Sequence, residues 1–285
     1  MKLKKKSLYT ALVACAIVAG YSAPASANYA ISNWQLSLPG NSVVSGINNL
    51  TFSGESYVVN TATSTPGIYT STDTGVFIVT GYNGGLPLGT TGQLTGVFSA
   101  TDITSLSSGS FVFTGGSFSL YYNPTVTYGT TSANSYGAAS GTQLASFTIN
   151  PTYDPTSGGG FINPLTGIPN GQVSVGSQAP TTIVSPSPFL DTSGNALGLS
   201  GLVLGVVTSN AALDSSANSG SYTLSPLLST ALSGSAGTTN NAPNVMFIGN
   251  GGQLTLQYAP EPATIALLGC GLLGIGWSLR RKMSA

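Results

Sequence analysis

The sequence predicts a mainly β protein: an antiparallel β-sandwich with short helices, set between one apolar helix at each end. Three observations predict it. The long middle of the chain repeats short runs of aromatic and β-branched residues between Gly, Asn, Ser and Pro, the pattern of strands joined by turns. That stretch holds no cysteine, so no disulfide framework or thiolate metal site is available, and stability rests on packing and backbone hydrogen bonds. Each end holds an apolar run flanked by the chain's basic residues.

The N-terminal end opens with the basic segment Met1–Lys6, followed by the apolar run Leu8–Gly20 and by Ala25-Ser26-Ala27. A cationic start, an apolar run and a small-x-small site are the three parts of a secretory signal. Residues 1–27 are therefore expected to form a signal helix that signal peptidase removes at Ala25 and Ala27, leaving Asn28 first. A rival pattern, Leu12-Val13-Ala14-Cys15, fits a lipobox that would lipidate Cys15. It leaves about eight residues of apolar run ahead of the cysteine, near the lower end of the usual ~7–15, and the run continues through Ala19.

Residues 28–259 are expected to form one domain of about 230 residues, a size that β-sandwiches reach. Strands are expected at Ser56–Asn60, Gly75–Thr80, Gln93–Ala100, Ser110–Thr114, Ser117–Tyr122, Gln143–Ile149, Gly171–Val175, Gly201–Thr208, Val245–Ile248 and Gln253–Tyr258. Gly115-Gly116 predicts a hairpin turn between Ser110–Thr114 and Ser117–Tyr122, because two glycines accept the positive φ of a primed turn. Phe111 and Phe113 would then face Phe118 and Leu120 across the hairpin. Asn250-Gly251-Gly252 predicts a second turn. A short helix is expected at Pro226–Leu232, with Ser225 as its cap and Gly234 just past its end. Asn123–Gly141, Asn150–Gly171, Ser215–Gly220 and Ser233–Pro243 read as loops, the last as a spacer.

Charge is sorted along the chain. All seven basic residues sit at the ends: Lys2, Lys4, Lys5, Lys6, Arg280, Arg281 and Lys282. Residues 28–259 contain no Lys, Arg or His; of the seven acids all but Glu261 fall there, a net charge of −6. A stretch without cations cannot neutralise phosphates, which supplies most nucleic-acid affinity. It has no arginine fork and no phosphate-loop lysine. Nucleic acids and nucleotides are thereby poor partners.

At the C-terminal end, Pro260-Glu261-Pro262 precedes the apolar run Ala263–Leu279, which Arg280-Arg281-Lys282 closes. A run of about 17 residues is at the short limit for a transmembrane helix. Trp277 sits near its end, where an interfacial ring is favoured, and the cations hold that end in the cytoplasm, leaving the body outside. Residues 260–285, with the helix at 263–279, resemble the PEP-CTERM sorting signal: the Pro-Glu-Pro motif, a short glycine-containing apolar helix and a basic end stand in order. The resemblance implies processing near the motif by the membrane protease-transpeptidase exosortase, contact with the membrane through the helix before that step, and export to the cell envelope, surface or extracellular matrix. The body is also similar, more loosely, to flocculation-associated PEP-CTERM proteins, on Phe113–Tyr122, Gly141–Asn150 and Phe189–Asn195. That likeness implies a role in aggregation with exopolysaccharide.

Little catalytic chemistry is open to the body. Serine hydrolysis needs a base beside the nucleophile, and a histidine zinc site needs histidine; residues 28–259 supply neither. The acids Glu55, Asp73, Asp102, Asp154, Asp191 and Asp214 are scattered, and each is expected to be a turn or cap residue, with Asp191–Asn195 as an alternative calcium loop. Trp34, Tyr121 and Tyr122 are candidates to stack on sugar rings, against a core role for the same side chains. The expectation is a non-enzymatic surface or matrix protein without cofactor or metal. The alternative is a carbohydrate-binding module or a glycosidase working through two carboxylates.

Overall fold

The computed structural model describes residues 29–40, 42–105, 107–129, 133–149, 159–162, 171–184, 186–198, 202–213 and 245–258. The signal segment with Ala25 and Ala27, Cys15, the helix expected at 226–232, the loops 215–220 and 233–243, and the tail 260–285 with its helix 263–279 lie outside the described residues. So do Asp154 and Asp214.

Thirteen strands are described: β1 (Tyr29–Ala30), β2 (Trp34–Leu38), β3 (Ser42–Ile47), β4 (Leu50–Ala62), β5 (Ile68–Tyr82), β6 (Gln93–Ser105), β7 (Ser110–Asn123), β8 (Thr142–Ile149), β9 (Gly159–Phe161), β10 (Gly171–Ile183), β11 (Phe189–Leu190), β12 (Leu202–Leu213) and β13 (Val245–Tyr258). Each neighbour in the order β4-β5-β6-β7-β8-β10-β12-β13 is antiparallel, and β13 pairs back onto β4 from Val245↔Val59 to Leu254↔Leu50. The mainly β, antiparallel character is as expected. The architecture is not a sandwich: the sheet closes on itself as an eight-stave up-and-down barrel.

Strand length explains the difference. β5 runs for 15 residues and β7 and β13 for 14 each, against about 5–6 for an average strand. Long, twisted, tilted strands bring the first edge round to the last, and closure removes both edges.

The two expected turns are strand interior. Gly115-Gly116 lies inside β7 at a bulge, where Thr101 pairs Gly115 but Asp102 pairs Phe113. The extra residue shifts the alternation from odd to even positions. Phe113 and Phe118 are therefore both buried on the inside of one strand instead of facing each other across a hairpin. Asn250-Gly251-Gly252 likewise runs through β13, paired with Gly54, Ser53 and Phe52.

One stave is interrupted. β9 pairs with Ser110–Val112 of β7 and Gln172–Ser174 of β10, while β8 pairs with the same two strands farther along. β8 and β9 thus stand end to end in a single gap. A separate three-stranded sheet, β11-β2-β3, puts Trp34, Leu36, Leu38, Val44, Ile47 and Phe189 into the main core beside Leu50, Leu94, Tyr122, Leu144 and Leu202, and so stoppers that end of the barrel. The loop after β7 lies over the outer wall: Tyr128, Tyr136 and Ala138 pack with Tyr57, Val76 and Val97. Within it, Asn134, Ser135 and Tyr136 form a left-handed turn, φ +51° to +57°, held by bonds from Gly129 N–H to the Tyr136 carbonyl (2.7 Å) and from Thr95 Oγ1 to the Ala138 carbonyl (2.6 Å).

Candidate functional site: the barrel interior

Alternation along the staves sends the core rings and aliphatic side chains inward and sets Thr and Ser, together with exposed Val59, Ile103 and Val112, outward. The inward layers read Gly54–Phe77–Gly96–Leu120 and Ser56–Gly75–Phe98–Phe118 across β4 to β7. Glycine and phenylalanine interlock in these layers. A Cβ on Gly96 would collide with the Phe77 ring, and one on Gly75 with the Phe98 ring. Only a residue without a side chain lets the neighbouring ring lie across the strand.

The rings form a continuous chain from stopper to wall. Trp34 meets Phe189 edge-on at 6.0 Å; Phe189 meets Phe147 at 6.4 Å; Phe147 meets Phe118 at 6.4 Å. Phe118 stacks on Phe77 at 5.0 Å, and Phe77 meets Phe52 at 5.4 Å. Contacts in this range add about 0.5–1.5 kcal/mol each beyond the area they bury. Beneath them lies a cavity of about 70 Å³, partly open to solvent and lined chiefly by phenylalanine, valine, leucine and isoleucine. An eight-strand barrel is the size at which the interior either fills with side chains or holds one small ligand.

The inner wall turns polar toward the far end of β4, β5 and β6. Asn60 pairs Ser71 and Ser71 pairs Asp102 in the ladder; one step nearer the stopper, Val58 pairs Asp73 and Asp73 pairs Ala100. Ser71 Oγ donates to Asn60 Oδ1 (2.7 Å) and lies 3.2 Å from Thr104 Oγ1, which donates to Asp102 Oδ1. Asp73 takes a hydrogen bond from Ser56. Its Oδ1 is buried with no hydrogen-bond partner among the described residues, and the residue lines the cavity. Burial, reinforced by the nearby Asp102 carboxyl, pushes the Asp73 acid up to about 8; burial also raises Asp102, opposed by bonds from Thr104 and Ser71.

Three acids thus depart from the expected turn or cap role: Glu55, Asp73 and Asp102 are strand residues, all buried. Glu55 points to the outer face, under the loop that carries Tyr128. Asp191 is the turn residue expected. It accepts from the N–H of Asn195 (2.9 Å) and of Ser193 (2.8 Å), and these bonds hold its carboxyl below the usual range. Of the sugar-stacking candidates, Trp34 and Tyr122 are 1% and 3% exposed, so their rings face other side chains; Tyr121 is half-buried on the outer face. The three do not converge on one surface.

The site that forms is one the sequence reading missed. A usable signal was present: Asp73 shares its alternation with Phe77 and Val79, and Asp102 shares its with Phe98 and Ala100. An acid in phase with a run of core residues points inward.

No curated protein and no solved structure matches this chain. Residues 259–282 match the family model described as the PEP-CTERM protein-sorting motif, a span that holds Pro260, Glu261 and Pro262 and closes on Arg280, Arg281 and Lys282. The motif implies processing by exosortase and export to the cell envelope or surface. The chain is a PEP-CTERM motif-containing protein whose sorting element follows a closed β-barrel.

Proposed function

We propose that this is a non-enzymatic surface or matrix protein that supports cell aggregation, in floc or biofilm, through contact with exopolysaccharide. The observation that carries the reading is the outer wall of β4 to β7. Thr61, Thr70, Thr72, Thr74, Ser99, Thr101, Thr114 and Ser117 stand exposed on it, with no charged side chain among them. Thr101 and Thr114 share a hydroxyl–hydroxyl bond of 2.9 Å across strands. A rigid, uncharged array of hydroxyls offers donors and acceptors to sugar hydroxyls without ion-pair requirements. Export to the surface brings that array to a polysaccharide matrix.

The test is a gene deletion, complemented with the native chain or with Thr70, Thr72, Thr101 and Thr114 all changed to Val. Deletion should reduce aggregation, and the Val variant should fail to restore it although it reaches the surface. Aggregation unchanged by deletion refutes the reading.

A glycosidase reading draws support from Asp73 and Asp102, two buried acids on adjacent strands: the raised Asp73 acid would be the proton donor, and Asp102 would have to ionise to act as base or nucleophile. Hydrolysis of host exopolysaccharide, lost in Asp73→Asn and Asp102→Asn, would establish it; no hydrolysis by the native protein removes it. Half-buried Tyr121 is the position from which a sugar-stacking role is best tested.

A further inference from the structure

We propose that the barrel interior binds a small apolar molecule bearing one neutral hydrogen-bond-accepting oxygen, a ketone, ester or ether, with its hydrocarbon among the phenylalanines and its oxygen on Asp73. This goes beyond the matrix reading and does not rest on it.

Two geometric features converge, and a third follows from them. The cavity is apolar over most of its lining: Phe77, Phe98, Phe111, Phe113 and Phe118 supply rings from three adjacent strands. A ligand entering it exchanges water for ring faces. Second, a single carboxyl breaks that lining. Asp73 is 8% exposed, and its Oδ1 has no partner among the described residues. A buried polar atom left unmatched is costly in an apolar surround, and a ligand atom that matches it removes the cost. Third, the protonation state selects the ligand. Ser56 already donates to the carboxyl, and burial keeps the acid protonated at neutral pH. Its remaining capacity is one O–H donor, which calls for an acceptor.

Around Asp73, the titratable group that faces it is Asp102 on β6; on β5 itself Tyr69 lies in phase with it nearer the strand's start, and on β4 it faces Ser56 and Val58. Glu55 is on the opposite face of β4. Residues 28–259 contain no Lys, Arg or His side chain to hold Asp73 ionised. The interaction should therefore be made by the acid form and lost as pH rises through its titration.

The test uses the exported protein purified from its host and three probes of similar size: acetophenone, ethylbenzene and benzylamine. Affinities are measured by calorimetry from about pH 6 to about pH 9.5. Near pH 6, acetophenone should bind roughly ten-fold more tightly than ethylbenzene, the size of one well-formed hydrogen bond. That preference should vanish above pH 9. Asp73→Leu should abolish it while leaving ethylbenzene binding in place. Asp73→Asn, whose amide still donates, should keep it at every pH. Failure of all three probes to bind, equal affinity for acetophenone and ethylbenzene at low pH, or a preference for benzylamine that grows with pH would each overturn the proposal. The native protein's pH dependence decides the matter even if a variant does not fold.

Discussion

Raising the pH from about 5 to about 8 should weaken the barrel, and the amount follows from one buried acid. Asp73 titrates near 3.8 when exposed and is pushed up to about 8 in the fold, first by burial and then by Asp102. A group with a raised folded pKa binds more protons in the folded state, so its contribution is fully present below the unfolded value and lost as pH climbs through the folded one. One extra proton held by the fold changes stability by about 1.4 kcal/mol per pH unit. Over three units roughly 4 kcal/mol disappears, a large share of the ~5–15 kcal/mol that holds a typical domain together. Asp102, raised by burial as well, acts in the same direction. Urea unfolding followed by circular dichroism at each pH measures the slope. Asp73→Asn keeps the shape and cannot ionise; it should remove most of the slope and exceed the native protein in stability near pH 9. Equal native stability at the two ends of the range, or an unchanged slope in the variant, refutes the argument.

Gly96→Ala places a methyl inside the Phe77 ring and should cost about 1–3 kcal/mol or more, the range for overpacking, read from the urea midpoint. Gly67→Ala, at φ +79° with no atom within 4 Å of the new methyl, separates backbone strain from collision and should cost less. Trp34→Ala removes the ring that joins the stopper sheet to the aromatic chain and should cost about 3–5 kcal/mol in the same assay. Intact mass spectrometry of the exported product should give Asn28 as the first residue and a C-terminus near Pro260-Glu261-Pro262; a mass that includes residues 1–27 contradicts the expected signal.

The sequence announced β structure plainly, because alternation and turn residues are local. It could not announce the barrel. Closure depends on Val245–Leu254 meeting Leu50–Val59, a pairing between strands far apart in the chain that no local pattern encodes. The same locality misled the reading of Gly115-Gly116. Two glycines suit both a primed turn and a bulge at which a strand shifts its alternation, and the deciding fact is that Phe113 and Phe118 both belong inside. Trp34–Leu38 and Ser42–Ile47 were not singled out as strands, although Trp34, Leu36 and Leu38 alternate cleanly. The sorting motif at residues 259–282 was legible, since its parts are contiguous and their order is the signal; the helix expected at 263–279 lies outside the described residues.

The charge pattern links the sequence to the interior. A buried carboxylate is usually tolerated because an arginine, lysine or histidine pairs with it. Residues 28–259 contain none of these, so no side chain of the body can supply Asp73 or Asp102 with a counter-ion. Two routes to tolerance remain: hydrogen bonding, and retention of the proton. Asp102 takes the first in part, from Thr104, while burial still raises its acid. Asp73 takes one bond from Ser56, and its other oxygen is left to the second. The absence of bases therefore does more than bar serine-hydrolase chemistry; it makes Asp73 a neutral donor in an apolar chamber. Restoring a base would test this directly. Ala100→Lys puts an ammonium beside Asp73 in the β5–β6 ladder and should flatten the loss of stability between about pH 5 and pH 8 by ionising the acid. If the folded variant keeps the native slope, the missing counter-ion is not what holds the proton on Asp73.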